Sequence, residues 1–199
     1  MEDKTKVNKR EESTKVYIDS LSANYSKLNI VRVDLAYKKD ANNKASVTLD
    51  EANKDFNRMM NNRRSKPSIF SNQVGYICKK EYTKDKGVHF HTLFIFDGQK
   101  VQKDKFKADQ IGKYWNESIT KNKGSYHNCN KTIYKENGIG MLNHTDSEKR
   151  KILDTKVISY LCKDDHQDIE PIKTNKNDRA FIRGTLPKAK DTIGRPRNT

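Results

Sequence analysis

The hydrophobic residues of this chain gather into a few short segments, and the clearest of these alternate with polar residues. Along residues 29–37, the hydrophobic side chains at every second position share one face, while Arg32 and Asp34 share the other. This period of two predicts a β-strand with one buried face. Residues 73–82 and 88–96 predict two further strands, and the short stretch between them, which ends in Gly87, predicts a β-hairpin.

Other hydrophobic residues recur at the spacing of an α-helix. Thr48 and Glu51 form a capping-box pattern in front of such a segment. The helix is expected to end near residues 63–67, because a residue that precedes proline is pushed out of the helical conformation. A second helix is marked by Phe106, Ile111 and Trp115.

The last third of the chain predicts one more long helix and two short strand segments. A second capping box over residues 145–148 opens a helix that is expected to run to about residue 165. Before it, residues 136–138 predict the turn of a hairpin, with residues 139–142 as its second strand. Residues 180–183 predict a final strand.

Both ends of the chain are strongly charged. Residues 1–15 have no hydrophobic periodicity and are interpreted as a mobile or weakly ordered arm, and residues 186–199 as a basic tail. A short amphipathic helix is predicted between the arm and the first strand from Val16, Ile18, Leu21, Tyr25 and Leu28. Strands joined by hairpins and interleaved with helices predict an α+β fold, with an antiparallel, RRM-like β-sheet flanked by α-helices.

The composition favours a polyanionic partner. The 199 residues carry a formal net charge of +15, and 34% of them are charged. Lysines and arginines that neutralise phosphates release counterions, so this charge favours nucleic acid, although the lysines are spread widely enough to serve solubility alone. No segment has the length and apolarity of a membrane span or a signal peptide. Three widely spaced cysteines without a CxxC pair predict free thiols in a reducing cytoplasm.

The strand over residues 88–96 carries two histidines on one face. His89 and His91 are two residues apart, so their imidazoles can converge on one metal ion. If the hairpin closes symmetrically about Asp85, Glu81 lies directly opposite His89 and shares its face. Two imidazoles and a carboxylate suit Mn²⁺ or Mg²⁺ acting on phosphate, and would also accept Zn²⁺, Co²⁺ or Ni²⁺.

Two alternatives to this metal site remain open at the level of sequence. A slip of one residue in the hairpin would place Lys80 or Tyr82 opposite His89 and turn Glu81 to the other face. Even in the predicted register, Glu81 could form an ion pair with a neighbouring lysine instead of binding a metal ion. Histidines on strands are also commonly satisfied by ordinary hydrogen bonds.

A tyrosine on the last predicted helix is the candidate nucleophile. Steps of 100° per residue place Leu153, Val157 and Leu161 on one apolar arc, with Tyr160 at its edge. Lys163 follows one turn later. A phenol with a pKa of ~10 needs nearby positive charge to attack, which Lys163 and the metal ion would supply. The alternative is a tyrosine that buries its ring and shows its hydroxyl to water.

Several weaker candidates complete the set. Asp34 and Arg32 are candidates for positions around the metal ligands or for a phosphate contact, and equally for a structural ion pair. The candidates for contacts with a DNA backbone are Asn130, Lys131 and Arg183. A zinc site can also be read from His127, Cys129, Cys162 and His166, with an unorthodox spacing.

These residues carry a resemblance to known families. His89-Phe-His91 resembles the histidine–hydrophobic–histidine motif of HUH endonucleases, and Tyr160-Leu-Cys-Lys163 resembles the YxxK motif that accompanies it in replication initiators. The chain is similar in particular to inovirus-type rolling-circle replication proteins of the YagK/YfjJ C-terminal family. The similar segments, in order, are residues 32–35, 75–82, 87–98, 111–115, 138–140, 158–164 and 179–184.

The resemblance implies an HUH-type nickase domain over residues 30–185, after an arm and short helix over 1–29 and before the tail over 186–199. It implies that Tyr160 attacks single-stranded DNA or a DNA hairpin, leaving a 5′-phosphotyrosine and a free 3′-hydroxyl. His89, His91 and a third residue, which the hairpin argument assigns to Glu81, would bind the metal ion. A host replication helicase and polymerase would be further partners.

The chain has one candidate nucleophilic tyrosine on this helix, where some relatives have two. Some relatives use two tyrosines on this helix, whereas Lys156 and Asp164 stand one turn from Tyr160 here. A single tyrosine supports the first cleavage better than a complete strand-transfer cycle. The alternatives are a catalytically silent DNA-binding protein of the same fold and a zinc-stabilised RNA-binding protein.

Overall fold

The centre of the protein is a six-stranded antiparallel β-sheet. The computed structural model describes residues 4–41, 47–163 and 169–188. The strands are β1 (Lys27–Tyr37), β2 (Gln73–Thr83), β3 (Gly87–Asp97), β4 (Gly124–Asn128), β5 (Gly140–Asn143) and β6 (Phe181–Arg183). Five of them follow the order β4-β1-β3-β2-β6, and β5 pairs with the first residues of β1.

Helices lie before, between and after these strands. They are α1 (Lys4–Asn24), α2 (Leu49–Asn61), α3 (Pro67–Phe70), α4 (Asp104–Lys113), α5 (Ser147–Ile152) and α6 (Ser159–Cys162). A π-helical segment, Leu153–Ile158, joins α5 to α6, and α4 continues into another, Tyr114–Ile119. Short 3-10 turns cover Asn62–Ser65, Cys129–Lys131 and Glu170–Ile172. None of the described helices is both long and apolar enough to cross a lipid bilayer.

The order of elements from β1 to β4 is that of a split βαβ, RRM-like domain. Apart from the one-turn helix α3, the order along the chain is β1-α2-β2-β3-α4-β4, and β1 lies between β3 and β4 with both pairs antiparallel. The predicted α+β class is therefore confirmed. Helices α2 and α4 pack on one face of the sheet, where the ring of Phe56 stacks on that of Phe90 at 5.1 Å. Helices α1 and α6, together with the π-helical segment Leu153–Ile158, pack on the other face.

The predictions for the central strands are confirmed in detail. The predicted strand over residues 29–37 lies within β1, and its hydrophobic residues Val31, Val33 and Leu35 are fully buried. The hairpin of β2 and β3 closes in the predicted register, with Glu81 opposite His89. The predicted capping box at Thr48 is present at the start of α2.

The interpretation of residues 1–15 as a weakly ordered arm is wrong for the residues that the structure describes. Lys4–Asn24 is one continuous helix. Its buried residues Tyr17, Ile18 and Leu21 pack on the sheet, while Val16, part of the predicted short helix, is exposed. Polar contacts hold the first half of the helix instead, since Ser159 Oγ donates to Glu11 Oε1 at 2.6 Å. The proposed boundary at residue 29 stays a prediction.

Two predictions for the second half of the chain are also wrong. Residues 136–138 do not form the turn of a hairpin, because β5 pairs with β1 rather than with the segment before it. The second capping box is not formed either. Asp146, not Thr145, caps the helix, its side chain accepting from the backbone N–H of Lys149.

The three cysteines are free and buried, as predicted for thiols. Burial raises the pKa of Cys78 and Cys129 to about 12, and that of Cys162 to about 11. Since the thiolate is the reactive form, we expect Ellman's reagent to modify the folded protein at least about a hundredfold more slowly than a free thiol. All three thiols should react after unfolding in guanidinium, and rapid reaction of one thiol in the native protein would contradict this packing.

Candidate active site

The candidate active site lies on the face of the sheet that α1 and α6 cover. Part of this face is hydrophobic and includes Ile77 and Leu93. Two residues further along the same strands, this face becomes polar. His91 on β3 lies between Lys79 on β2 and Asp34 on β1, and it pairs with both. The period of two in each strand thus places a row of charged side chains directly beside a hydrophobic core.

Glu81, His89 and His91 converge at one point of this polar region. Glu81 Oε2 lies 3.2 Å from His89 Nε2 and 3.1 Å from His91 Nε2. One ligand atom from each of the three residues lies within 4.8 Å of the others. Adjacent donors around an octahedral ion at ~2.1 Å lie about 3 Å apart. The three side chains therefore fit a divalent metal ion, as the sequence predicted.

The other nitrogens of the two imidazoles fix how the rings face this point. His89 Nδ1 lies 3.0 Å from the carbonyl oxygen of Gly87, and His91 Nδ1 lies 2.9 Å from Asp34 Oδ1. Both partners can only accept hydrogen bonds, so they favour a proton on each Nδ1, and each Nε2 faces Glu81. Metal-binding histidines are commonly oriented by such backbone and carboxylate acceptors.

The electrostatics of the cluster favour a cation between the three side chains. Burial opposes the charged form of His91, but the Asp34 and Glu81 carboxylates at its two nitrogens raise its pKa to about 9. Burial also opposes ionised Glu81, yet hydrogen bonds from His89, His91 and Lys79 hold its pKa well below the usual range. The two carboxylates thus favour a proton on His91 Nε2 in the metal-free protein. A metal ion that binds there would displace this proton.

Lys79 is a member of the site that the sequence analysis missed. Its side chain is only 1% exposed, and its Nζ lies 2.7 Å from Glu81 Oε1. The ammonium group thereby holds one carboxylate oxygen while the other faces the two histidines. The signal was available in the sequence, because Lys79 precedes Glu81 by two residues on a strand and so shares its face.

Tyr160 stands directly beside the metal-binding group. Its ring centroid lies 5.7 Å from that of His91, with the rings at 80°, and the Arg32 guanidinium carbon lies 5.2 Å from the ring centroid. The side chain is 37% exposed. Partial burial and the carboxylate of Glu81 raise the pKa of the phenol, whereas the positive charge of Arg32 lowers it.

The helix that carries Tyr160 packs closely against the backbone at Gly138. Its buried positions, Leu153, Val157 and Leu161, form the predicted apolar arc. The π-helical segment ends one residue before Ser159, and such segments are frequent at functional sites. A Cβ atom at Gly138 would lie 2.7 Å from the backbone nitrogen of Leu153. The absence of a side chain at Gly138 therefore sets how closely this helix approaches its neighbours.

We expect Gly138→Ala to displace this helix and with it Tyr160. Backbone atoms cannot move aside as a flexible side chain can, so the expected loss in free energy of unfolding is about 1–3 kcal/mol. A shift of Tyr160 by about 1 Å should also lower any activity of the site about a hundredfold. Urea unfolding and an activity assay measure the two effects.

Thr145→Ala is the matched control for this change. Thr145 is exposed in front of the same helix and does not cap it. Its replacement should cost less than about 0.5 kcal/mol and leave the activity unchanged. If Gly138→Ala behaves in the same way, the close approach does not position Tyr160.

Other candidate residues are distributed around the site. Asp34 and Arg32 form the ion pair considered from sequence, at 3.5 Å, while Asp34 also contacts His91. They therefore connect the metal-binding group to Tyr160. Lys163 is exposed just beyond the end of α6, and its role in activating Tyr160 stays a prediction.

The residues considered for DNA contacts differ in accessibility. Asn130 is 5% exposed, and its amide accepts from the backbone of Arg32 and donates to the carbonyl of Ile30. This position is better explained by a role in holding β1, so it does not support the predicted DNA contact. Lys131 is exposed and pairs with Asp109. Arg183 is half-buried and donates to Ser13 Oγ, which fixes it between β6 and α1.

The alternative zinc site finds no support in the part of the chain that the structure describes. Cys129 and Cys162 are buried in the hydrophobic core, whereas His127 is exposed and contacts Thr132. His166 lies outside the described residues. Among those that are described, the group of three possible ligands is Glu81, His89 and His91.

Fold and site together define an α+β protein whose antiparallel sheet presents a Glu-His-His group, able to hold a metal ion, beside a partly exposed tyrosine. The chain belongs to the YagK/YfjJ C-terminal domain family, which matches residues 2–181. This membership is consistent with a nuclease-like domain. Neither a curated protein nor a solved structure matches the chain.

Proposed function

We propose that this protein is a metal-dependent endonuclease that nicks single-stranded DNA through a covalent link to Tyr160. The observation that carries the proposal is the contact between the Tyr160 ring and His91, at 5.7 Å between centroids, beside the possible metal ligands. This contact places a partly exposed phenol next to the possible metal ligands. The net charge of +15 supports a polyanionic substrate.

The reaction we propose exchanges one phosphodiester for another. The Tyr160 hydroxyl oxygen attacks the scissile phosphorus, the bond from phosphorus to the 3′-oxygen breaks, and the tyrosine becomes linked to the 5′-phosphate. The phenol loses its proton and the departing 3′-oxygen gains one, so neither water nor a nucleotide cofactor is consumed. The covalent product retains the phosphodiester bond, and attack by a 3′-hydroxyl can rejoin the strand.

The residues around Tyr160 have distinct parts in this proposal. A divalent ion, Mn²⁺ or Mg²⁺, held by His89, His91 and Glu81 would polarise a phosphate oxygen. Arg32 lies against the Tyr160 ring and favours the phenolate. Asp34 and Lys79 hold His91 and Glu81 in place. They are positioning residues, because they act through the ligands.

The biological setting we propose is that of an HUH-type initiator of rolling-circle replication, of the inovirus kind. The paired histidines on β3 and the single tyrosine followed by Lys163 support this assignment. The DNA partner would be the single strand or hairpin of a replication origin, and the host helicase and polymerase would act on the 3′-hydroxyl that nicking releases.

The test is to search for a covalent adduct. The protein is incubated with a library of labelled single-stranded oligonucleotides, with Mn²⁺ or with a chelator, and separated under denaturing conditions. We expect a labelled protein band that depends on the metal ion. If a broad library yields no such band, the enzymatic proposal is wrong and a catalytically silent DNA-binding protein is the better account.

A further inference from the structure

A second basic site lies beside α1, at the edge of the sheet. The first half of α1 and strand β6 enclose a groove with a volume of about 970 Å³. Its positive residues come from both walls and are Lys6, Lys9, Arg10, Arg179 and Arg183. None of the described residues that line this groove is acidic. Five cations around one concave surface create a potential that attracts an anionic chain.

Arg10 has the geometry of an anion-binding residue. Its guanidinium carbon lies 6.0 Å from the centroid of the Phe181 ring. Its Nη1 atom is buried and has no hydrogen-bond partner among the residues that the structure describes. A buried cationic donor without a partner is costly. An anion that enters the groove would supply the missing acceptor.

Two carboxylates beside the groove already have partners. A smaller adjoining cavity of about 220 Å³ includes Glu170 and Asp178 in its lining. Glu170 pairs with Lys173 at 2.5 Å, and Asp178 accepts from the amide of Asn53 at 3.0 Å. These contacts direct the two acidic groups at other partners, so the groove keeps its positive character.

The groove lies on the same face of the sheet as the metal-binding group. Lys79 on β2 pairs with His91 on one side and with Phe181 of β6 on the other. Because neighbouring strands are about 4.8 Å apart, Phe181 lies about 10 Å from His91. The groove is therefore within reach of a flexible anionic chain that is bound at the metal ligands.

We infer that the groove binds the sugar-phosphate backbone of single-stranded DNA next to the scissile phosphate. The inference rests on the proposed function for the identity of the polyanion, while the groove itself stands on its charge and shape. A single strand is favoured over a duplex because the Phe181 ring lies among the cations, beside the Arg10 guanidinium group. Aromatic residues interleaved with basic ones are typical of single-strand binding.

The test is a double variant, Lys6→Ala with Lys9→Ala, since both lysines are exposed and their replacement leaves the core intact. Binding of a fluorescent single strand of about 30 nucleotides, longer than typical single-strand sites, is followed by anisotropy in a chelator over a range of salt. Each phosphate contact on a single strand contributes about 0.7 to the slope of log K against log salt. We therefore expect the slope to fall by about 1.4 and the affinity at about 0.05 M salt to fall by roughly 10- to 100-fold.

Lys54→Ala with Lys113→Ala is the matched control. It removes the same charge from exposed positions on α2 and α4, which cover the opposite face of the sheet. The control should lower the affinity by less than about threefold. Equal losses in the two double variants would overturn the inference. So would a loss for the Lys6 and Lys9 variant that is confined to duplex DNA.

The same comparison separates this inference from the proposed function. Binding in a chelator needs neither the metal ion nor Tyr160. If no adduct ever forms but the Lys6 and Lys9 variant still loses single-strand binding, the nicking proposal fails and the groove remains a DNA site. If the adduct forms and this variant binds DNA as the control does, the groove inference fails alone.

Discussion

Tyr160→Phe is expected to abolish the metal-dependent DNA adduct, with a loss of at least about a thousandfold in its rate of formation. The change removes the hydroxyl that forms the bond to phosphorus and keeps the ring that contacts His91 and Arg32. Because Tyr160 is partly exposed, the free energy of unfolding should change by less than about 0.5 kcal/mol. Denaturing gel electrophoresis of the labelled adduct measures the first effect, and urea unfolding the second.

Tyr134→Phe is the appropriate control for this variant. Tyr134 is also 37% exposed. It lies near the site, because burial raises the pKa of its phenol while the positive charge of Arg32 lowers it. Under our proposal, Tyr134→Phe forms the adduct at close to the normal rate. An adduct that survives in Tyr160→Phe and disappears in Tyr134→Phe would move the nucleophile to the loop before β5.

Glu81→Gln should have the largest effect on both metal binding and stability. The Glu81 carboxylate contacts two histidines and the buried Lys79, so the change removes one partner of a buried ion pair. Removing one partner of a buried ion pair costs about 3–5 kcal/mol. In a chelator, we expect the free energy of unfolding to fall by about this amount, as measured by urea denaturation.

The response to Mn²⁺ distinguishes loss of the metal site from general destabilisation. At a concentration of about 100 times its Kd, the metal ion should stabilise the normal protein by about 2.7 kcal/mol. If the variant binds about a hundredfold more weakly, the gain falls to about 0.4 kcal/mol. Glu117→Gln, at an exposed position, should retain the full gain. An equal gain in Glu81→Gln would mean that the ion binds elsewhere.

The central hairpin and its metal-binding residues could be predicted from the sequence because local rules determine them. Alternation of polar and hydrophobic residues fixes which face each strand buries, and a short loop fixes the register of the hairpin. Together these rules placed Glu81 opposite His89 on the same face. Tyr160 followed from helical spacing, because the apolar arc beside it is regular.

The features that could not be predicted from the sequence depend on contacts between residues far apart in the chain. The first half of α1 is charged, and it is held by contacts such as those of Glu11 with Ser159 and of Arg10 with Phe181. Strand β4 shows no hydrophobic alternation, since it is an edge strand defined by its pairing with β1. The position of Arg32 over Tyr160 also required knowing how α6 crosses the sheet.

The most direct test of the central claim is to identify the residue that carries the DNA. Adduct formed with Mn²⁺ is digested with a protease and a nuclease, and the modified peptide is sequenced by mass spectrometry. We predict a nucleotide joined through its 5′-phosphate to Tyr160, together with a released strand that ends in a 3′-hydroxyl. A link to any other residue, or cleavage that leaves both DNA ends free of protein, would contradict the account.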